Sequence, residues 1–561
     1  MTKKEIPIEH VRHTLAHLLA AAVLNLYPDA KPTIGPSIEN GFYYDFQFST
    51  SPSDEDLRRI EKEMRSLLKT WKEVSSREVS EQEAKKLYSA NPFKQELIDE
   101  IAGRGEPITL YLWGTFEDLC RGGHLETASF IDPYSFKLHK LAGAYWRGSE
   151  KNPMLTRIYG LAFSTKEELD AHLVMLAEAE KRDHRKLGRE LDLFLFSDLV
   201  GSGLALWTPR GTLLRNLLDE YIWQLRRERG YEKVTIPHIT KKDLYETSGH
   251  WEKFKEDLFK IVTREEHEFA MKPMNCPHHT QIYARKQQSY RDLPQRYAET
   301  TMVYRDEQSG ELAGLSRVRC ITQDDAHVFC RESQLKDEMF RIWDIINIFY
   351  SAVGLGDLTV RLSLHDGAQM DKYLGDKEVW ERTEDQLRAL VKERGVVATE
   401  AIGEAAMYGP KIDFIAKDSL GRSWQVATIQ VDRNMPERFD LACINEKGER
   451  ERIVMLHAAI MGSIERFLSV FIEHTAGAFP LWLAPVQVAI LPVGETFIPN
   501  ARAFAHELSS EGIRVEIDES NETVGKKVRV VSKLKVPYII VFGEKEASGD
   551  VLTIRIRGTE E

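Results

Sequence analysis

The chain is 561 residues long, 42% apolar and 29% charged, which fits a globular protein with ample core and excludes a disordered or fibrous one. At about 150 residues per domain, that length predicts three or four domains. The net charge is −12, from 76 basic and 88 acidic residues, so a nucleic-acid footprint has to be a local patch and not a bulk property.

"MTKKEIPIEHVRHTLAH" has no continuous apolar signal core, and no run of eighteen apolar residues follows, which predicts a cytoplasmic protein without a membrane partner. Segment 8–27 places Leu15, Leu18, Leu19, Ala22, Val23 and Leu26 at helical spacing and stops at Pro28. His13 and His17, at i and i+4, share one face of that helix. "GFYYDFQF" predicts a strand, and a charged helix follows near 54–72. A glycine-rich "CRGGH" occupies 120–124, and "GAYWRG" at 143–148 adds strand. Ser164-x-x-Glu167 is a capping box that opens a long, charged connecting helix. From about 190 to 480, long amphipathic helices alternate with strands as far as the break "GAFPLWLAP". Beyond it, "VQVAILPV", "IRVEID" and "VPYIIVFG" alternate with polar helical stretches, an α/β pattern. The five cysteines (Cys120, Cys276, Cys320, Cys330, Cys443) are odd in number and far apart, against a disulfide framework.

Within the central stretch, "MKPMNCPHH" sets Cys276 beside His278 and His279. Cys276-x-x-His279 is too short to hold a metal alone, and no second cysteine pair follows at zinc-finger spacing. Read by itself, it is a buried cysteine beside helix-capping histidines. Three other segments belong together: a long helix (209–229) running through Gly230 into a strand and Pro237; "VYRDEQSGELAGLSRVRCITQDDAH", a strand, polar loop and returning strand; and "MGSIERFLSVFIEH", Gly-Ser feeding a helix that carries Arg466. In this order they resemble motifs 1, 2 and 3 of the class II aminoacyl-tRNA synthetases. The resemblance implies an antiparallel sheet flanked by helices, activation of an amino acid with ATP and magnesium, and a homodimer built on motif 1. The residue types suit that chemistry, because carboxylate attack on the α-phosphate gathers charge on phosphate oxygens, which planar guanidinium forks meet well. Arg305 is then expected at the α-phosphate and substrate carboxylate, and Arg466 at the γ-phosphate or adenine. Glu307, two residues along the strand from Arg305 and so on the same face, suits an acceptor for the adenine amino group. The class's returning Arg-x-x-x-Phe, whose ring stacks on adenine, reads Arg317-Val-Arg-Cys-Ile321 here.

"KPMNCPHH", "TQDDAH" and "VMLHAAIMGSIER" resemble one family of that class, the threonyl-tRNA synthetases, and the likeness extends over essentially the whole chain. It implies one zinc per subunit on Cys276, His327 and His457, with a fourth position open to the amine and hydroxyl of L-threonine. A ligand role for His278 stays open. A metal that requires an oxygen ligand separates threonine from isosteric valine, which an apolar pocket does poorly. The same likeness places Gln323, Asp325, Tyr408, Gln425, Thr428 and Gln430 around the substrate, Lys411 on the phosphate side, and His250 near the terminal adenosine of the RNA.

Serine keeps the hydroxyl and amine, and one missing methyl separates it by only about 1–3 kcal/mol, so a second, hydrolytic site is needed. His13 and His17, with Asp118, Cys120 and His124 of "DLCRGGH", resemble the editing domain shared with alanyl enzymes, where Lys94 and Tyr44 match further residues. That implies hydrolysis of mischarged Ser-tRNA(Thr), with or without a metal at that site. The C-terminal module resembles an anticodon-binding domain in which Asn521, Glu546 and Arg555 match positions that read unstacked bases. "GKKVRVVSKLK" suits phosphates. The expected architecture is a multidomain α+β protein: editing domain 1–163, connecting helix 164–188, class II catalytic domain 189–482 and anticodon-binding α/β domain 483–561. Its implied partners are tRNA(Thr), ATP, L-threonine and a second copy. Three features depart from the family pattern: the chain starts almost directly at the editing module, Ile321 replaces an adenine-stacking phenylalanine, and no closing helix follows "TIRIRGTEE". A non-catalytic RNA-binding regulator on the same scaffold is the alternative reading, although such a protein has no need of Arg305, Glu307, Arg466 and the Cys–His–His set. A free-standing deacylase would need only the N-terminal module.

Overall fold

In the computed structural model, which describes residues 6–149, 151–549 and 552–559, the N-terminal apolar stretch forms helix α1 (Ile8–Leu26). Its buried Leu15, Leu18, Leu19, Ala22 and Val23 pack with Phe42, Tyr44 and Phe46 of β1 (Gly41–Gln47). The amphipathic helix α2 (Asp56–Leu68) adds Leu57, Ile60 and Met64 to this core. A second sheet, absent from the sequence reading, joins β2 (Val74–Val79), β3 (Ile108–Trp113) and β4 (Phe116–Leu119), with α3 (Pro92–Gly103) falling between β2 and β3. Strand β5 (Phe136–Tyr145) pairs with β6 (Met154–Ala162), and β6 with β1, so the first sheet is antiparallel. "GAYWRG" is strand only as far as Tyr145; Trp146–Gly148 is a tight helical turn. The cap of α4 (Lys166–Lys181) also sits one residue later than expected: Thr165 Oγ1, not Ser164, accepts the N–H of Glu168, whose carboxylate accepts the N–H of Ser164. Residues 1–177 and 178–561 form separate units.

In the second unit, Thr208 and Pro209 start α5 (Pro209–Arg227), in keeping with proline's fit at a helix's first position. An eight-stranded sheet follows, in the order β7 (Glu232–Lys233), β8 (Gln295–Tyr304), β9 (Cys320–Cys330), β14 (Val454–Ser463), β13 (Ser423–Asp432), β12 (Lys411–Lys417), β10 (Leu358–Leu364) and β11 (Ala398–Ile402). Its six inner strands are antiparallel, and each edge strand pairs parallel with its neighbour. One face is covered by α5, α7 (Leu335–Ala352) and α9 (Ile464–Thr475), which bury Leu218, Ile346 and Phe471 among others. Here α6 (Cys276–Ala284) and α8 (Lys377–Glu393) complete the numbered helices before α9. Because successive strand residues face opposite ways, the other face of the sheet is left to carry function. The last module is a sheet ordered β16 (Val515–Ile517), β15 (Val488–Pro492), β17 (Tyr538–Phe542), β18 (Ile554–Ile556), with α10 (Ile498–Ser510) and α11 (Val524–Lys533) alongside. Strands β16, β15 and β17 are mutually parallel and β18 is antiparallel to β17, the α/β pattern expected.

Candidate active sites

On β9, Gln323, Asp325 and His327 alternate with Thr322, Asp324 and Ala326. Strand register sets His327 opposite His457 of β14, and His457 opposite Gln430 of β13, so these three side chains form one row across the sheet. Asp325, Ala459 and Thr428 form the next row. Cys276, the first residue of α6, meets the histidine row: one donor atom each from Cys276, His327 and His457 lie within 4.8 Å of one another, and all three residues are buried. His327 Nε2 and His457 Nδ1 are 3.1 Å apart. Burial holds the His327 imidazole well below its ordinary value, reinforced by His457, so it stays neutral with a lone pair to offer. Burial pushes the Cys276 thiol up, with Asp325 and Asp432 adding to the effect. One thiol and two imidazoles converging in a buried pocket fit a zinc ion with one position left open.

Tyr408 stacks on His457 with ring centres 4.6 Å apart and donates its hydroxyl to Gln430. Asp325 accepts from Asn275 Nδ2 at 3.0 Å. His250 lies against the thiol, its Nε2 3.9 Å from Cys276 Sγ and its Nδ1 2.9 Å from Ser248 Oγ, and burial lowers its pKa to about 3. His278 is outside the cluster: it sits edge-on to Tyr245, and neither ring nitrogen has a hydrogen-bond partner among the described residues.

Beside the rows is a cavity of about 490 Å³, whose walls include Arg305, Glu307, Arg317, Ile321, Gln323, Gln425, Thr428 and Arg466. Strand β8 ends at Tyr304, so Arg305 and Glu307 do not share a strand face as expected. A tight turn, with Glu307 N donating to Arg305 O at 2.9 Å, brings both to the cavity instead. Glu307 is held by Arg317 at 2.7 Å, and Arg317 also meets Glu311 at 2.8 Å. Arg305 has no such tie: its Nε is buried without a partner among the described residues, and its NH2 lies 3.3 Å from Met274 Sδ. Burial lowers its pKa, yet a guanidinium starting from so high a value keeps its charge at neutral pH. Arg466 stands in the first turn of α9, where Ser463 Oγ accepts its N–H at 3.1 Å. Lys411 is not on the cavity wall; it pairs with buried Asp413 at 3.1 Å, which also accepts from Ser363 and Arg361.

Behind the site, residues missed in the sequence hold it in place. Arg226 of α5 donates to Asp324 O at 2.6 Å and to its carboxylate at 3.2 Å. That carboxylate accepts the N–H groups of Ile460, Met461 and Gly462 at 2.8, 3.0 and 2.9 Å. About three turns earlier in α5, Arg215 donates to Thr322 Oγ1 at 2.7 Å, while Thr322 is bound by Glu465 next to Arg466.

In the N-terminal unit, His13 and His17 of α1 converge with Cys120 and His124, donor atoms again within 4.8 Å. Cys120 Sγ is 3.6 Å from His13 Nε2 and 3.2 Å from His124 Nε2. The "CRGGH" turn depends on Gly122 and Gly123, with φ of 104° and 83°; a Cβ on Gly122 would come within 2.7 Å of Tyr111 Oη. Next to the cluster, buried Lys94 and Asp118 pair at 2.5 Å, Tyr44 donates to Asp118, and His17 Nδ1 is 3.7 Å from the same carboxylate. All seven expected residues thus meet, and six of them line a cavity of about 450 Å³. Burial lowers His124 to about 2 and raises the Cys120 thiol to about 11. The imidazoles are therefore neutral, with lone pairs to offer a metal or a water's hydrogen, whereas the thiol is no free nucleophile at neutral pH.

Three family models match the chain: the tRNA synthetase class II core domain (G, H, P, S and T) over 259–475, the anticodon binding domain over 487–561, and the threonyl and alanyl tRNA synthetase second additional domain over 108–159. The threonine–tRNA ligase of Gloeobacter violaceus is 48% identical over 558 residues, covering 98% of this chain and 89% of that protein. That of Deinococcus radiodurans is 47% identical, covering 98% and 86%. The chain belongs to the threonine–tRNA ligase family. Among solved structures, the RNA binding domain of threonyl-tRNA synthetase from Cryptosporidium parvum matches with a TM-score of 0.64 and 38% identity, over 67% of this chain and 93% of that one. Giardia lamblia prolyl-tRNA synthetase, at 17% identity and a TM-score of 0.54 over 68% and 73%, shares the fold.

In this ligase's anticodon-binding segment, Asn521 follows β16 and Glu546 follows β17, both beyond the carboxyl ends of parallel strands, where ligands commonly bind. Glu546 accepts the N–H of Gly543 at 3.0 Å, and Arg555 lies on the edge strand opposite Ile539. The basic stretch is α11, but not all of it meets solvent: Lys527 is buried and donates to Asp518 O at 2.9 Å.

Proposed function

We propose that the chain joins L-threonine to tRNA(Thr) with ATP and magnesium, and hydrolyses Ser-tRNA(Thr) at its N-terminal cluster. The observation that carries this reading is adjacency: the Cys276–His327–His457 set lies one sheet row from the cavity that holds Arg305 and Arg466. Cys276, His327 and His457 would hold a zinc ion, which supplies an open position for nitrogen and oxygen ligands. Asp325, oriented by Asn275, accepts a hydrogen bond from the substrate's ammonium or hydroxyl, and Gln430 with Tyr408 closes the far end of the row. The threonine carboxylate attacks the α-phosphate, pyrophosphate leaves, and Arg305 and Arg466 meet the charge that gathers on phosphate oxygens. Glu307 accepts from the adenine amino group and Ile321 packs on the ring. Transfer to the RNA then frees AMP.

At the N-terminal cluster the neutral imidazoles hold the attacking water by accepting its hydrogen bond, and Lys94 and Asp118 orient the aminoacyl group. Expected domain limits at 163, 188 and 482 follow the same assignment, as do a homodimer on α5, anticodon reading by Asn521, Glu546 and Arg555, and a cytoplasmic location. No helix among the described residues is long and apolar enough to cross a membrane. ATP–pyrophosphate exchange tests the reading. Exchange is expected with threonine, more weakly with serine and not with valine; exchange with none of the three would leave only a regulator or a deacylase. With His13→Ala and His17→Ala together, Ser-tRNA(Thr) should accumulate.

A further inference from the structure

The two histidines of the Cys276–His327–His457 set are held from behind by different groups. Asp432, fully buried at the end of β13, spends one carboxylate oxygen on the N–H groups of Asn434 and Met435 at 2.7 and 2.9 Å. Its other oxygen lies 2.9 Å from His457 Nε2. A carboxylate only accepts, so Nε2 carries the hydrogen and His457 Nδ1 presents its lone pair. His327 is held at its outer nitrogen, Nδ1, by His279 Nδ1 at 2.8 Å. His279 is fully buried, and its Nε2 has no partner among the described residues.

Metal ligation needs lone pairs at both His457 Nδ1 and His327 Nε2. For His327 that places the ring hydrogen on Nδ1, where His279 Nδ1 lies 2.8 Å away to accept it.

We propose that His279 and Asp432 are positioning residues that fix the tautomers of His327 and His457, each by a hydrogen bond to the ring nitrogen that faces away from the metal position. This rests on the reading that Cys276, His327 and His457 hold a metal. Partners of this kind commonly govern 10–100-fold in metal affinity. His279→Leu removes the acceptor from His327. His279→Asn keeps an amide oxygen that can accept from His327 Nδ1. Asp432→Asn cannot serve both sides, because one amide group accepts and the other donates, whereas His457 Nε2–H and the two backbone N–H groups all need an acceptor.

The test uses the full chain, stripped of metal and titrated with Zn²⁺ against a chromophoric chelator, alongside visible spectra of the Co²⁺ form. Weaker zinc binding by about 10–100-fold is expected for His279→Leu and Asp432→Asn, with affinity restored towards wild type in His279→Asn. The cobalt ligand-field bands should shift in His279→Leu, while the thiolate charge-transfer band of Cys276 persists. Wild-type affinity and spectra in His279→Leu and Asp432→Asn would overturn the proposal, as would equal losses in His279→Asn and His279→Leu. If the wild type and Cys276→Ala bind zinc alike, it is the underlying metal reading that fails. Should Asp432→Asn not fold, the His279 pair decides alone.

Discussion

Arg305, on the wall of the 490 Å³ cavity, is a cation that the protein itself does little to satisfy. Its Nε is buried without a partner among the described residues, its NH2 faces a methionine sulfur, and its guanidinium centre stands 5.6 Å from the Phe254 ring. Replacing it with methionine, a side chain of similar length, therefore breaks no ion pair and removes a partly desolvated charge. Buried charges exchanged for apolar groups of like volume are commonly neutral or stabilising by about 1–4 kcal/mol, so Arg305→Met should melt at or slightly above the wild-type temperature. The chemical step should suffer, because one preorganised donor is worth about 10²–10³ in kcat, or about 2.7–4 kcal/mol of barrier. Scanning calorimetry and threonine-dependent ATP–pyrophosphate exchange on the same preparation separate the two effects. A melting point lowered by more than about 5 °C, with activity falling in step, would mark Arg305 as a structural residue and refute the reasoning.

Asn275→Ala frees the Asp325 carboxylate, and loss of a hydrogen bond to a charged group, about 1.5–3 kcal/mol, should raise KM for threonine roughly tenfold or more while KM for ATP holds. Equal changes in both constants would count against it. Lys94→Met leaves Asp118 buried with its cation gone, so the N-terminal unit should lose about 3–5 kcal/mol in urea titrations followed by proteolysis, with threonine activation intact. Acid should weaken the same unit. Burial depresses His124 to about 2 and holds His13 and His17 below the usual imidazole value, so below about pH 6.5 the unfolded chain binds protons that the folded one refuses. Stability from these groups is complete above that pH and drains away as pH falls towards the folded values. A urea midpoint for this unit that is no lower at pH 5.0 than at pH 7.5 would contradict the assignment.

Residues that share a strand or helix face at the two candidate sites were the most legible. Gln323, Asp325 and His327 alternate on one strand, and a period of two survives a bulge between Gln323 and Asp325. His13 and His17 needed only the helical repeat to share a face. Asn275, His279, Asp432 and Arg226 were not legible, because each acts on another side chain and leaves no period of its own in the sequence. The sheet of β2, β3 and β4 escaped notice because "VSSREV" is mostly exposed along its length and shows no alternation. Lys411, expected on the phosphate side, pairs with Asp413, its same-face neighbour two residues along the strand, a partner that strand periodicity alone could have named. Glu307 went wrong in placement rather than in destination: strand β8 stops at Tyr304, and a three-residue turn, invisible to periodicity, delivers it to the cavity.

A helix that braces a pocket from the rear also feels whatever leans on it. Through Arg226 and Asp324, α5 touches the backbone of Gly462 on one wall of the 490 Å³ cavity; through Arg215, Thr322 and Glu465 it reaches the base of Arg466. A neighbouring subunit seated against α5 would stiffen both walls without approaching any ligand. Dilution that parts the two copies would then slacken threonine's grip well before either copy came undone.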